Sequence, residues 1–526
     1  MNRSGFIRQF LLGALLLALA ATSAPAAETV RLQLKDGLIR GLRQEGVSVY
    51  KGIPYASPPL GDLRFAPPKD KEPWSGELDC SAFGNKCFQL AVFAGPEAQS
   101  EDCLTLNVWT PAGPGERSAL PVYVFIHGGG FAAGSGSFPF YDGTAFARKG
   151  IVTVTINYRL GALGFFASRR TLEEYGSTGN WGLLDQIKAL RWVRDNIAAF
   201  GGDPGMVTVG GESAGSFSVS ALMLSPLARG LFRGAIMESG SVLSLPALSC
   251  YARGELSKSL EVSAMLAEVF EAGDDARGLE KMRAADAGAL ARFSAFIPDL
   301  TTTTAFFLTP VFDGAVLPKD PARAMAAGEF AKVSLLLGFN KDEGSIFIPA
   351  GTDQSAYKML AARIFGGGKG QRILERFAVE AKNTAEQRAR QIVAYGVFSA
   401  GSKRFADLAA AAGNSVYLYN FTYAAPQAEQ NGLGAAHAGE LPFVFNNLAA
   451  AGLTGPQELA EAMHTRWANF IRTGDPNEGE APADQARWPG YDAAKASVLF
   501  FGRKIAPGPL ADRENLDYVG DLIFGK

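Results

Sequence analysis

The residues from Gly211 to Gly215 read Gly-Glu-Ser-Ala-Gly, the G-x-S-x-G pattern of a nucleophile elbow, which occurs once in the chain. A serine hydroxyl is a poor nucleophile at neutral pH until a sharp strand-to-helix turn holds it beside a general base and oxyanion donors. The apolar run Met206–Gly210 predicts a strand before the motif, and Ser216–Leu224 predicts a helix after it. This context predicts that Ser213 is the nucleophile of a serine hydrolase.

The base for this serine has to come from the three histidines of the chain. His127 begins a glycine-rich motif with another role, and His464 lies in an amphipathic helix pattern, where a packed structural histidine is expected. His437 lies in the small-residue loop Gly434–Gly439, after a predicted strand, where a loop can carry a base to a nucleophile. We therefore predict His437 as the base and expect activity to fall as it protonates near its ordinary pKa of about 6.5.

An acid is needed to orient the imidazole ring and to stabilise its protonated form. The predicted strand Val333–Leu337 leads into Gly338–Gly344, where Asp342 and Glu343 both lie just past the carboxyl end of the strand. Sequence position does not choose between the two. The order serine, acid, histidine along the chain is the one expected of an α/β-hydrolase.

Oxyanion donors are predicted in His127–Phe131, which reads His-Gly-Gly-Gly-Phe and follows the predicted strand Pro121–Ile126. Glycines allow bare backbone amides to approach a substrate oxygen, and the N–H of Ala214 would add a further donor. Each donor can contribute about 2.7–4 kcal/mol to transition-state stabilisation.

The elements that must position these residues follow an alternating pattern. Runs typical of strands covered on both faces occur at Pro121–Ile126, Ile151–Ile156, Met206–Val209, Val333–Leu337 and Val416–Phe421. Apolar residues recur at helical spacing from Leu183 to Ile197, and Val30–Leu34 with Val47–Tyr50 predict an edge hairpin. The predicted fold class is α/β, with a large, mostly parallel central sheet flanked by helices and joined by right-handed crossovers.

Residues 250–300 differ in composition from the rest of the chain. They are rich in Ala, Glu and Arg and have a helical pattern without a strand signal. Two interpretations stay open for them, a solvated helical excursion and a lid over the active site. Since the motifs interleave through one alternating pattern, we expect residues 27–526 to form a single domain.

Composition excludes several classes of partner. The chain has 50 Lys+Arg and 52 Asp+Glu, so it lacks the excess positive charge that would attract nucleic acid or an anionic membrane surface. Neither a C-x-x-C motif nor a histidine cluster is present, so no metal is expected. The serine chemistry needs no organic cofactor.

Residues 1–26 have the pattern of a signal peptide. Arg3 and Arg8 form a positively charged n-region, and Phe10–Ala20 is an apolar run too short to span a bilayer comfortably. Ala24–Ala26 gives a small-x-small cleavage site. We expect cleavage after Ala26 and export of a mature protein without a membrane anchor to a periplasm or to the outside.

The four cysteines suit an oxidising compartment. Cys87 and Cys103 flank a Gly/Pro/polar loop and are predicted to pair, which contributes roughly 3 kcal/mol in the chain-entropy model. Cys80 and Cys250 either form a second bridge or remain buried thiols.

With these motifs in this order, the chain resembles the type-B carboxylesterases, which are relatives of the cholinesterases and have the α/β-hydrolase fold. The resemblance runs over nearly the whole mature chain. Besides the elbow and the glycine motif, it is carried by Lys51–Ala56, Leu63–Phe65, Glu101–Leu104, Leu106–Trp109, Asn157–Arg159, Gly179–Asn180, Gly201–Pro204, Asn340–Ser345, His437, Glu440–Phe445 and Trp467–Phe470.

The resemblance implies roles for individual residues. It implies that Glu343 is the acid, and that Gly129, Gly130 and Ala214 are the oxyanion donors. It also implies that Cys87 and Cys103 form the loop disulfide, and that Glu212 and Ser239 support the triad through buried hydrogen bonds.

Three departures narrow the expected substrates. The loop between Cys87 and Cys103 has no tryptophan to bind a quaternary ammonium by a cation–π contact, and position 346 is Ile where cholinesterases have an aromatic residue. Choline esters are therefore poor candidates. Glu238 replaces a more usual glutamine, and the sequence offers no account of it.

The predicted activity is hydrolysis of a small-molecule carboxylic ester through an acyl-enzyme. The rival hypotheses are a catalytically silent binding or adhesion protein, and an amidase or thioesterase that uses the same triad.

Overall fold

A computed structural model describes residues 27–90, 98–113, 115–247, 255–293, 308–482 and 484–525. Thirteen strands of the described residues join into one sheet, in the order β1-β2-β3-β5-β7-β6-β8-β9-β10-β11-β12-β13, with β4 paired to β2. The strands are β1 Glu28–Gln33, β2 Leu38–Gln44, β3 Val47–Pro54, β4 Glu77–Asp79, β5 Thr105–Thr110, β6 Leu120–Ile126, β7 Val152–Ile156, β8 Gly202–Glu212, β9 Gly234–Glu238, β10 Ser334–Asn340, β11 Val416–Phe421, β12 Ser497–Phe501 and β13 Ile505–Pro509.

Strands β7, β6, β8, β9, β10, β11 and β12 pair in parallel. The antiparallel pairs lie toward the two edges of the sheet. The predicted α/β class with a mostly parallel central sheet is confirmed. The predicted strands lie in this sheet and start within two residues of their expected positions, except β8, which starts at Gly202, four residues before Met206. Near-continuous Val/Ile/Leu runs are stable only where both faces are covered.

Helices lie along the chain between these strands. The helices are α1 Thr144–Arg148, α2 Gly161–Phe165, α3 Arg169–Tyr175, α4 Trp181–Asn196, α5 Ala214–Leu224, α6 Leu256–Val269, α7 Ala276–Ala284, α8 Ala287–Phe293, α9 Pro321–Ala326, α10 Gln354–Phe365, α11 Gly367–Arg376, α12 Ala385–Val393, α13 Ala400–Ala411, α14 Pro426–Gln430, α15 Leu441–Val444, α16 Gln457–Thr473 and α17 Arg513–Phe524. A π-helical turn, Ala394–Ser399, joins α12 to α13.

Alternation along the central strands divides the core between the two faces of the sheet. Tyr123, Phe125, Ile236, Leu336 and Tyr419 lie on one face, in a cluster that also contains Trp467 of α16. Their strand neighbours pack on the other face with α4 and α5. The first face is rich in aromatic rings.

The N-terminal edge differs from the expectation. Val30–Leu34 and Val47–Tyr50 do not form a hairpin with each other, because β2 lies between β1 and β3 and pairs with both. In β2, which reads Leu-Ile-Arg-Gly-Leu-Arg-Gln, a glycine and two arginines weaken the apolar pattern. Its pairing, and not its composition, makes it a strand.

Several predictions fall wholly or partly outside the described residues. These are the signal peptide, residues 1–26, and Cys250 in the possible second disulfide; Cys80 itself is fully buried. The described part of the 250–300 segment consists of α6, α7 and α8. No helix within the described ranges is long and apolar enough to cross a membrane.

Candidate active site

Four parallel strands end at the same edge of the sheet and bring the predicted residues there. Strand β6 ends before His127, β8 ends before Ser213, β9 ends before Ser239, and β10 ends three residues before Glu343. Ligands of open parallel sheets bind outside this edge.

The backbone at Ser213 is held in a conformation that L-residues rarely adopt, with φ 55° and ψ −123°. Its N–H donates to the carbonyl oxygen of Glu238 over 2.8 Å. A Cβ atom at Gly215 would collide with the carbonyl oxygen of Ile126, so the motif requires glycine at that position. The sharp turn leaves Ser213 partly exposed between buried neighbours, as a nucleophile elbow requires.

The glycine motif lies directly against this elbow. A Cβ atom at Gly128 would lie 2.7 Å from Glu212 Oε2 and 3.0 Å from Ser213 Cβ. Gly129 and Gly130 have φ values of 109° and 62°, which favour glycine, and both are partly exposed. Ala214 is the first residue of α5, so its N–H is one of the unpaired donors of a helix N-terminus. The amide of Ala214 is therefore available next to Ser213, and the glycine motif lies against the same turn.

His127 supports the motif and takes no part in a triad. Its ring stacks on Tyr158 with centroids 4.5 Å apart, and its Nδ1–H donates to the carbonyl oxygen of Gly128 over 2.8 Å. Burial lowers the pKa of His127 to about 4, so the ring is neutral.

His437 and Glu343 form a short contact, with 2.5 Å between Nδ1 of the histidine and Oε2 of the acid. Glu343 is fully buried, and its Oε1 accepts the backbone N–H of Asn340 over 2.7 Å. Asp342 instead accepts the N–H of Ala435 over 2.9 Å. The structure thus brings Glu343 to the imidazole ring and uses Asp342 to hold the loop that carries it.

The other ring nitrogen of His437 faces a second acid, with 3.1 Å between Nε2 and Glu212 Oε1. Burial alone lowers the pKa of His437, but the carboxylates of Glu212 and Glu343 outweigh that effect and raise the pKa to about 9. Burial raises the pKa of Glu212 too, so the pair binds a proton more readily than an isolated histidine does. The expected midpoint of activity near 6.5 stays a prediction, and the two carboxylates favour a higher value.

Two phenylalanine rings pack on the histidine, and sequence reasoning missed both. The Phe398 ring lies 4.4 Å and the Phe347 ring 5.3 Å from the His437 ring, centroid to centroid. Phe398 belongs to the π-helical turn Ala394–Ser399. Such turns often accompany functional sites but have no residue pattern that reveals them in a sequence.

Ser239, which the resemblance implies to be a supporting residue, follows β9 directly. It is fully buried with φ 61°, and its N–H donates to the carbonyl oxygen of Gly338 over 2.9 Å. Its hydroxyl has no hydrogen-bond partner among the described residues. The backbone hydrogen bond holds Ser239 against β10, and its supporting role stays a prediction.

Two further acids lie close to Glu212. Glu440 accepts a hydrogen bond from Asn340 Nδ2 over 2.5 Å, and Glu238 accepts one from Trp467 Nε1 over 3.0 Å. Both are fully buried. Neither was predicted as a site residue.

The other predictions concern His464, the cysteine pair and metal binding. His464 packs on Phe146 and donates from Nδ1 to the carbonyl oxygen of Val444 over 2.8 Å, in agreement with a structural role. Cys87 and Cys103 are joined by a disulfide. The described residues contain no group of three or more His, Cys, Asp or Glu side chains arranged so that they could hold a metal ion.

Comparison with known proteins identifies the family. Residues 27–508 match the carboxylesterase family model. The chain is 34% identical to para-nitrobenzyl esterase of Bacillus subtilis over 492 residues, 89% of this chain and 94% of that protein. It is 35% identical to carboxylesterase 1D of Rattus norvegicus over 541 residues, 94% of this chain and 92% of that protein. A solved PNB esterase structure superposes with a TM-score of 0.79 and 31% identity, covering 93% of this chain and 99% of that one. The chain belongs to the carboxylesterase family, has the α/β-hydrolase fold and is a carboxylic ester hydrolase.

Proposed function

We propose that the protein hydrolyses esters through an acyl-enzyme, with Ser213 as nucleophile, His437 as base and Glu343 as the orienting acid. The observation that carries the proposal is the 2.5 Å contact between His437 Nδ1 and Glu343 Oε2, at the sheet edge where the strained turn presents Ser213. An Nδ1–H donated to Glu343 leaves the lone pair on Nε2, which is the nitrogen that a base needs.

The reaction then has two steps. Ser213 Oγ attacks the ester carbonyl carbon while His437 Nε2 takes the hydroxyl proton, and the tetrahedral intermediate collapses as His437 returns that proton to the leaving alcohol. Water, deprotonated by the same nitrogen, attacks the acyl-enzyme and releases the acid. The N–H groups of Gly129, Gly130 and Ala214 are proposed to stabilise the oxyanion in both steps.

The surroundings favour an apolar acyl or alcohol group. The rings of Phe347 and Phe398 pack on His437. Phe131 of the glycine motif and Phe217 of α5 contact each other, with ring centroids 6.4 Å apart. All four rings are buried. The substrate class supported by these walls is a small-molecule ester with an apolar substituent.

The test combines a substrate series with active-site labelling. Hydrolysis rates of p-nitrophenyl esters from acetate to long acyl chains are measured beside labelling by a fluorophosphonate. We expect turnover with a clear chain-length optimum and one label, located on Ser213 by peptide mass spectrometry. A label on another residue would contradict the assignment of the nucleophile, and no label with no turnover would favour the silent binding protein.

We also propose that residues 1–26 direct export and that residues 27–526 form one domain. The family model begins at residue 27, and the disulfide between Cys87 and Cys103 suits an oxidising compartment. Cell fractionation and N-terminal sequencing of the mature protein test the export. A mature protein that begins at Met1 in the cytoplasm would contradict it.

Replacing Glu212 by glutamine should move the pH profile toward acid. The Glu212 carboxylate, 3.1 Å from His437 Nε2, is among the groups that raise the pKa of the base. Activity requires the neutral base, so a raised pKa places the acid limb of kcat/KM at high pH, and loss of this charge lowers its midpoint by about 1 pH unit or more.

The control is Glu440→Gln, because Glu440 acts on His437 more weakly than Glu212 and Glu343 do. It should move the same midpoint less than Glu212→Gln does. Equal midpoints in wild type and Glu212→Gln would show that Glu212 does not set the protonation of the base.

A further inference from the structure

Glu238 is a fully buried acid that the proposed mechanism does not use. It is the last residue of β9, where it pairs with Glu212 of β8 on one side and with Gly338 of β10 on the other. Its own carbonyl oxygen accepts the N–H of Ser213 over 2.8 Å. The residue thus connects the nucleophile elbow to the neighbouring strands.

Two tyrosines reach toward this position across glycines. A Cβ atom at Gly210 of β8 would lie 2.6 Å from the Tyr123 hydroxyl, and one at Gly338 of β10 would collide with the Tyr419 ring. Since β8 and β10 are the strands on either side of β9, both rings cross a neighbouring strand in the direction of Glu238. Both hydroxyls are buried without a hydrogen-bond partner among the described residues.

The hydrogen bonds of Glu238 do not suit a carboxylate. Oε1 accepts the neutral Nε1–H of Trp467, and Oε2 has no partner in the described part of the chain. By contrast, Glu343 accepts two hydrogen bonds, one of them from the imidazole ring. A buried charge without ionic or multiple hydrogen-bonding partners is costly, whereas the neutral acid is tolerated.

The charged and titratable groups around Glu238 favour the same state. The groups that face it are Glu212 on β8, Glu440 before α15, Tyr123 on β6, Tyr419 on β11 and Tyr141 after β6. Burial, followed by repulsion from Glu440 and Glu212, raises the pKa of Glu238 well above its ordinary value.

We propose that Glu238 is a positioning residue that works as a protonated, uncharged acid, holding Trp467 of α16 against the edge of the sheet and leaving the negative charge beside His437 to Glu212 and Glu343. An ionised Glu238 would place a second anion beside Glu212 on the adjacent strand and would drive Glu212 toward its neutral form. This inference rests on the proposed function only for the role of His437.

Infrared difference spectroscopy tests the protonation state without any substrate. The carbonyl stretch of a protonated carboxyl group is distinct from the carboxylate bands. We expect wild type minus Glu238→Gln to contain a protonated-acid band at neutral pH, and this band should persist in the same comparison made in a Glu440→Gln background. A carboxylate band in its place would overturn the proposal, whatever the esterase assays give.

Thermal unfolding gives a second readout. An acid that is protonated when folded and ionised when unfolded makes stability fall as pH rises above the unfolded pKa of about 4.3. Glutamine does not titrate, so the Tm difference, Glu238→Gln minus wild type, should grow steadily between about pH 5 and pH 8. A difference that stays flat over this range would overturn the proposal.

The positioning role has a kinetic signature. Glu238→Gln keeps an acceptor for the Trp467 N–H and carries no charge, so it should leave the acid midpoint of kcat/KM unchanged. Glu238→Leu leaves the Trp467 N–H without an acceptor, so it should lower kcat about tenfold with KM little changed. A midpoint shifted toward acid in Glu238→Gln would mean that Glu238 is ionised. A Glu238→Leu enzyme with wild-type kcat would remove the positioning role.

Discussion

Ser213→Ala is expected to lower kcat by about 10⁴-fold or more, because the acyl-enzyme can no longer form. The remaining rate should come from the proposed oxyanion donors, which do not depend on the hydroxyl group. Alanine at this position keeps a Cβ atom, and the hydrogen bond from the backbone N–H to the carbonyl oxygen of Glu238 is retained. The elbow should therefore stay folded, and the loss should be in kcat and not in the amount of folded protein.

The measurement is kcat for a p-nitrophenyl ester, with circular dichroism to verify folding. Ser220→Ala is the matched control, since this serine lies on the same helix α5, where its hydroxyl donates to the carbonyl oxygen of Phe217 and accepts the N–H of Val242. The control should retain activity and fluorophosphonate labelling. If Ser213→Ala hydrolysed the ester within about tenfold of wild type, the assigned nucleophile would be wrong.

The parts of the site that sequence predicts well are those where the backbone restricts the residue type. The glycines around Ser213 and at Gly129 are needed because a Cβ atom would collide with backbone there. Such requirements leave short, fixed motifs. The central strands were equally predictable, because burial on both faces demands continuous apolar runs.

Other features depend on the neighbours that folding brings together. Strand β2 lacks a clear apolar pattern and is defined by its pairing with β1 and β3. The choice between Asp342 and Glu343 depends on which side chain meets the imidazole ring, and adjacent residues do not reveal that. The raised pKa of His437 requires Glu212, more than 200 positions earlier in the sequence, so a single-residue reference value could not predict it.

Glu343→Gln is expected to lower kcat about 10⁴-fold, the size of effect that follows loss of the acid in a comparable triad. Glu343 presents one oxygen to each of two donors, His437 Nδ1–H at 2.5 Å and the N–H of Asn340 at 2.7 Å. Glutamine has a single acceptor oxygen, so one donor must face its NH₂ group. If that donor is the imidazole, the ring turns to the tautomer whose Nε2 carries a proton and cannot act as a base. Stabilisation of the imidazolium by the Glu343 carboxylate is lost in either case, and Glu212 remains on the other side of the ring.

Asp342→Asn is the matched control, because it changes the neighbouring acid in the same way. Asparagine can still accept the N–H of Ala435, which Asp342 accepts over 2.9 Å, so the loop that carries His437 should keep its position. We expect kcat of this variant to stay within about tenfold of wild type, since the variant loses neither an acceptor nor a charge beside the ring. The reverse order of effects, with Asp342→Asn the more damaging change, would move the role of the acid to Asp342, the alternative that sequence position leaves open. Because both variants remove one acid from the same turn after β10, their ratio isolates the contact with His437 from a general disturbance of that turn.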